Sequence, residues 1–206
     1  MHDWGTSSQQ DLQVVLLHLR NMSSIRKYLT TNAAHTFVHA FISSRLDYCN
    51  ALLYGLPKYL VDRLQHVHNS AAPVVTFTRK FDHIIPMLID LYWLPVYYRV
   101  IFKLLLLTYK ALNGLAPCYL SHLLSYRSSC YSLRSVTNKL LVEPRAKLTT
   151  YGFRSFSFAA PRLWNRLPSD IRSCSSVASF KSRLKTFLFT LFLDNRKFNW
   201  LFHFSF

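Results

Sequence analysis

Between residues 145 and 172 cations and aromatic rings alternate. Arg145, Lys147, Arg154, Arg162, Arg166 and Arg172 are interleaved with Tyr151, Phe153, Phe156, Phe158 and Trp164. Guanidinium groups hold phosphates in bidentate pairs, and exposed rings stack on unpaired bases, so this mixture suits a nucleic-acid surface. The rings also have a plainer use. Phe156, Phe158 and Trp164 are expected to form the core of a small lobe, with the arginines arranged around it. The arginines are read as binders because acids that would pair with them are missing. Lys181, Arg183 and Lys185 carry the same field onto a last helix, and Arg99, Lys103 and Lys110 place it on a central one.

Other chemistries find little to work with. Two-metal phosphoryl chemistry needs carboxylates that hold two divalent cations about 4 Å apart, usually from neighbouring acids. Here no two acids are adjacent, Glu143 is the only glutamate, and Asp47 between Arg45 and Tyr48 reads as a structural partner. Cys49, Cys118, Cys130 and Cys174 form no C-x-x-C pair, so buried isolated thiols are expected rather than a zinc site. Cys49 has no evident basic partner, and Asp82–His83 has no serine in a G-x-S-x-G elbow. Four scattered glycines do not make a phosphate-cradling loop. The expectation is a non-enzyme that uses no cofactor and no metal.

The charge is placed unevenly. The chain has 25 Lys and Arg against 9 Asp and Glu, a formal net charge of +16. Residues 1–90 hold eight bases and six acids, whereas residues 91–206 hold seventeen bases and only Glu143, Asp170 and Asp194. Such a field favours a polyanion, nucleic acid first and an anionic membrane second. Half of the residues are hydrophobic, so a folded core is expected. The first ten residues lack the basic start and apolar run of a signal peptide. No window of about 18 uncharged apolar residues exists, so no spanning helix is expected.

The elements that would position these cations are mostly helices. Residues 91–117 read as a buried helix with both ends written in: Pro95 at the start, Gly114 and Pro117 at the close. Val100, Ile101, Leu104, Leu105, Thr108, Ala111 and Leu112 make its apolar face, with Arg99, Lys103 and Lys110 opposite. A core helix with solvated lysines would show the same pattern. Earlier helices are expected over 12–19, from a Thr30 or Thr31 cap through Ile42, and from Lys58 to Val75. A basic patch joins Arg20, Arg26 and Lys27, and Pro73 inside its helix costs about 3 kcal/mol unless the helix ends or bends there. Asp82 can cap a short helix over 84–91, and a brief helix is expected over 119–124. Residues 125–135, rich in serine and arginine, read as a linker. Beyond it, near-alternate apolar residues at 139–143 and 151–158 predict a small hairpin, followed by a helix over 159–165. Ser176 begins the last helix, with Val177, Phe180, Leu184, Phe187, Leu188 and Leu191 on one face.

Several blocks resemble LINE-type non-LTR retrotransposons, more narrowly the jockey and chicken-repeat group, in the region following the reverse-transcriptase catalytic core. They are HLRN at 18–21, SRLDYCNALLYGLP at 44–57, DLYWLPV at 90–96 and FK at 102–103. LTYKALNGLAP at 107–117, RSFSFAAPRLWNRLP at 154–168 and SFKSRLKTFLF at 179–189 complete the series. They occur in the family's order over about residues 12–190. Pro73 departs from the pattern, which implies an arginine there and so one more phosphate-binding charge.

The resemblance implies a helical thumb and a C-terminal extension, so with the hairpin read from the residues the expected fold is mainly α: a helical thumb-like bundle, then a small α+β C-terminal lobe with a short hairpin. The divisions are a non-family leader at 1–10, a thumb and post-thumb region at 11–124, a linker at 125–135, a basic lobe at 136–193 and an aromatic tail at 194–206. It implies non-specific binding to RNA or DNA backbones and the polymerase core as a protein partner. The family's catalytic residues match no position here. A nuclear or cytoplasmic, non-secreted protein is expected, derived from a truncated genomic copy. Two other readings stay open. Residues 187–206 have the Phe, Leu and Trp content of a membrane-surface helix. A relic without function would expose an aggregating apolar surface.

Overall fold

The computed structural model describes residues 4–78, 82–127, 139–145 and 152–197, with side chains from residue 13 to residue 194. The chain is mainly helical, and it divides into two compact units. The first comprises Met1–Asn50 and Leu56–Tyr97, the second Ala51–Gly55 and Tyr98–Phe206. The boundary thus falls after Tyr97. Most of the linker expected at 125–135 lies outside the described residues.

The first unit contains α1 (Trp4–Ile25), α2 (Thr31–Val38), α3 (Ser44–Asp47), α4 (Lys58–Thr76) and α5 (Ile84–Asp90). Thr30 caps α2, its hydroxyl accepting from the Ala33 amide at 3.2 Å. A π-helical turn, His39–Ser43, joins α2 to α3. Val15, Leu19 and Met22 of α1 meet Val38, Ile42 and Leu46, and the cluster closes on Val67, Ala71, Val74 and Val75 of α4. These are the helical-period positions of each segment, which is why they share one core. Phe37 and Phe41 do not enter it. They remain exposed and stack on each other, with centroids 5.0 Å apart.

Three details differ from expectation. Pro73 neither ends nor replaces a turn: α4 continues through it to Thr76, so the lost amide belongs to the last turn. His83, not Asp82, occupies the N-cap position of α5, without a side-chain hydrogen bond. Arg26 is not part of a surface patch. It is buried, and its guanidinium donates to the carbonyls of Val74 and Val75 that end α4 and to that of Leu29. A cation set against terminal carbonyls complements both their lone pairs and the helix dipole.

The chain passes to the second unit within α6 (Val96–Leu112). Its start follows Pro95, and the Val96 amide donates to the Gln65 side chain at 2.8 Å. Its end is a left-handed cap at Gly114, φ +67°, with the Leu115 amide reaching back to the Lys110 carbonyl at 2.8 Å. That is the Schellman geometry for which glycine is suited. Val100, Ile101, Leu104, Leu105, Thr108 and Ala111 are buried as the pattern requires, and Leu112 is half-buried. The Thr108 hydroxyl donates to the Leu104 carbonyl, so a polar group enters the core without an unmet bond.

The second unit continues with α7 (Cys118–Ser121), α8 (Phe156–Asn165), α9 (Ser169–Arg172) and α10 (Val177–Lys197). The hairpin is not there. Among the described residues there is no strand, and residues 139–145 make a single antiparallel bridge, Leu141 with Tyr126. Residues 156–158 are the first turn of α8, preceded by a 3-10 turn at Gly152–Arg154. The alternation of Phe156 and Phe158 is too short to set a period. Continued through Ala159, Ala160, Leu163 and Trp164, the same residues follow the 3.6 repeat. Leu141 is instead held by a side chain. Asn165 accepts from the Leu141 amide at 2.9 Å and donates to its carbonyl at 3.0 Å, standing in for a second strand. Trp164 adds a bond from its Nε1 to the Lys139 carbonyl at 2.9 Å.

Candidate nucleic-acid interface

Three of the arginines expected to bind gather on one small feature of the second unit. The chain segment Ala51–Gly55 ends in a tight turn with Gly55 at φ +72°. Arg154, from the turn preceding α8, lays its stem over Gly55 and donates from Nε to the Tyr54 carbonyl at 3.3 Å. Arg162 and Arg166, four residues apart on and just after α8, act on the Tyr54 phenol. Burial raises the phenol above the usual tyrosine range, and the Arg162 and Arg166 charges oppose that rise. The Arg162 guanidinium also stands over the Phe158 ring at 5.9 Å. So Arg154 packs on the Tyr54–Gly55 turn, and the Arg162 and Arg166 charges are felt at the same tyrosine.

Gly55 matters to this cluster for a steric reason. A β-carbon there would lie 2.6 Å from Arg154 Cγ. Gly55→Ala should therefore displace Arg154 and strain a left-handed backbone, lowering stability by about 1–2 kcal/mol. Urea denaturation measures the loss, and weakened RNA binding should accompany it.

A second grouping joins α6 to α10. Burial lowers the Lys185 ammonium below its ordinary range, and the charge of Arg99 lowers it further. Lys103 is exposed one turn beyond Arg99, while Lys110 is half-buried near the end of α6. Lys181 and Arg145 are exposed. Arg183 is exposed but donates to the Asp170 carbonyl at 3.3 Å. Lys147 lies outside the described residues.

Arg172 is not at the surface. It is 8% exposed, its Nε and Nη1 have no acceptor, and burial lowers its pKa. The short helix α9 turns it inward, so it does not reach an external phosphate from this position.

The aromatics divide as the plainer reading expected. Trp164 is 1% exposed, and Phe153, Phe156 and Phe158 are half-buried. Phe180 stacks on Tyr109 at 4.2 Å and lies 6.0 Å from Trp164, making one aromatic core. Tyr151 lies outside the described residues. What was not visible beforehand is Tyr54, whose role depends on a turn more than a hundred residues from α8.

Among the described residues, no cluster of three or more His, Cys, Asp or Glu could hold a metal ion. Cys49 and Cys118 are exposed and Cys174 is half-buried, contrary to the expectation of buried thiols. Asp47 accepts from the Asn50 amide nitrogen at 3.1 Å, a structural use. No helix among the described residues is long and apolar enough to cross a membrane. No family model matches this chain, no curated protein matches it, and no solved structure matches it.

Proposed function

We propose that this chain is a non-catalytic nucleic-acid-binding fragment, derived from the region after the catalytic core of a LINE-type retrotransposon reverse transcriptase. It grips RNA or DNA backbones without sequence preference, and the polymerase core is its protein partner. A nuclear or cytoplasmic site of action belongs to the same reading. What supports it is the excess of seventeen bases over three acids in residues 91–206, with Arg154 packed on the Tyr54–Gly55 turn and the Arg162 and Arg166 charges felt at Tyr54. Each guanidinium offers several N–H donors to a phosphate, where a lysine offers a point charge.

The membrane-surface reading loses part of its basis. Of the apolar residues at 187–192, Leu188 and Phe189 are buried, and Phe192 packs against both Tyr98 and Phe189. Those side chains are already used inside the second unit. The rest of that tail, residues 198–206, lies outside the described residues.

The test is fluorescence anisotropy with labelled single-stranded RNA and a duplex, titrated at several salt concentrations with anionic liposomes as competitor. Neutralising about five phosphates gives a log–log slope near −4 to −5, a several-hundredfold loss between about 50 and 200 mM salt. Arg162→Gln with Arg166→Gln should shallow that slope by about 2 and weaken binding to all sequences alike. A flat salt dependence, or capture by liposomes, would overturn the proposal.

A further inference from the structure

Helices α6 and α10 lie side by side and run in opposite directions. Near the start of α6, Tyr98 reaches the Leu191 carbonyl at 3.5 Å, and its ring meets Phe192. Near the end of α6, Tyr109 stacks on Phe180 and donates to the Cys174 carbonyl at 2.9 Å. Tyr98 and Tyr109 are eleven residues apart, and so are Phe180 and Leu191. Equal spacing on both helices gives an antiparallel register between the two contact points. In that register Arg99 is level with Thr190, Lys103 with Thr186 and Lys110 with Ser179. Lys185 and Lys181 are level with Leu104 and Thr108.

The rotation about each axis completes the placement. At about 100° per residue, Tyr98 and Tyr109 share the direction facing α10, and Arg99, Lys103 and Lys110 stand roughly 100–140° round from it. On α10, Lys181 and Lys185 stand roughly 40–80° round from the mean direction of Phe180 and Phe192, the two rings that meet α6. Because the helices are antiparallel, the two rotations carry these side chains to the same flank of the seam. The influence of Arg99 on Lys185 agrees with that placement. Five cations therefore border one flank over about 16 Å, at 1.5 Å per residue.

We infer that the flank of the α6/α10 seam carrying Arg99, Lys103, Lys110, Lys181 and Lys185 holds one phosphodiester strand along the helix axes. This rests on the proposed nucleic-acid binding and adds to it a path and a direction. Cations staggered along a line from two sides match a linear series of phosphates, whether the strand is free or part of a duplex. A compact anion would meet only one or two of them.

Lys103 and Lys181 are the two exposed cations, one on each helix, so their removal leaves the packing untouched. The test compares Lys103→Gln with Lys181→Gln, combined in one chain, against Arg20→Gln with Lys58→Gln. The second pair removes the same charge from exposed positions of the first unit. Probes are a short oligouridylate and a short RNA duplex, each titrated at several salt concentrations. The seam pair should weaken binding about tenfold and shallow the slope on single strands by about 1.4. The control pair should stay within about twofold of the parent, and thermal melts of both should match it. Loss confined to the oligouridylate assigns a free strand, and loss on the duplex assigns a paired one. Equal affinities for the two variant pairs would overturn the seam while leaving the basic-surface reading intact. A parent chain that binds neither probe would remove both.

Discussion

Replacing Arg26 by alanine should lower the stability of the first unit by about 3–5 kcal/mol, the scale expected when a buried charged network loses one partner. Arg26 is 7% exposed, and its guanidinium serves three carbonyls, those of Val74, Val75 and Leu29. It also lies over the Phe77 ring, 4.9 Å from the centroid. Phe77 itself occupies the left-handed position that ends α4, at φ +58°. A non-glycine residue there costs about 1 kcal/mol, so contacts that fix it count doubly. Alanine would take the guanidinium donors away from two carbonyls at the negative end of α4. Arg26→Lys keeps the charge but loses the fork, and should cost about 1.5–3 kcal/mol. Urea denaturation gives the totals, and amide hydrogen exchange locates them. Protection should fall in the first unit and persist in the second. A change below about 1 kcal/mol would mean that the guanidinium is dispensable and that water serves these carbonyls.

Arg26 also shows where sequence reading runs out. A local window places it beside Arg20 and Lys27, and charge alone makes a patch of all three. Its acceptors lie 48 and 49 residues further on, and no periodicity encodes them. Arg172 is the same case in the second unit. A four-residue helix fixes its direction, and such a helix leaves too short a pattern to show which side is buried. By contrast α6 was legible throughout, because its punctuation is local. A proline sits before the first turn, a glycine at the left-handed cap, and six apolar residues with Thr108 recur at helical spacing between them. Ser176 is legible for the same reason, with its hydroxyl accepting from the Ser179 amide at 3.1 Å.

The false hairpin and the missed Tyr54 share one cause. Around Leu141 the chain pairs with residues 125–127 through a single antiparallel bridge, and the Asn165 side chain takes its other edge in place of a second strand. The Tyr54 turn looked like a simple stop between helices, yet its carbonyl holds Arg154 from a hundred residues away. In both places a side chain does what backbone pairing or an apolar face would do. Residue types mark the local break, and the distant partner is set only by the fold.

The second large effect concerns Trp164, and it ties the core to the proposed interface. Trp164 is 1% exposed, stacks against Phe180 and donates to the Lys139 carbonyl. Trp164→Ala should cost about 3–5 kcal/mol through the cavity and lost stacking. That is a large part of the roughly 5–15 kcal/mol that holds a typical domain together. Trp164→Phe keeps most of the volume and gives up chiefly the Nε1 bond, so it should cost about 1–2 kcal/mol. The two variants make a functional contrast as well. Arg162 and Arg166 stand two residues to either side of Trp164, and their positions relative to Tyr54 depend on α8 staying docked. Trp164→Ala should therefore weaken RNA binding and melt the second unit early, while Trp164→Phe should bind as the parent does. If Trp164→Ala melts early but binds RNA with full affinity and full salt slope, the cations act as an unstructured charge cloud. Binding that falls with the fold means that phosphate recognition depends on the arrangement of Arg154, Arg162 and Arg166, and not on the number of charges alone.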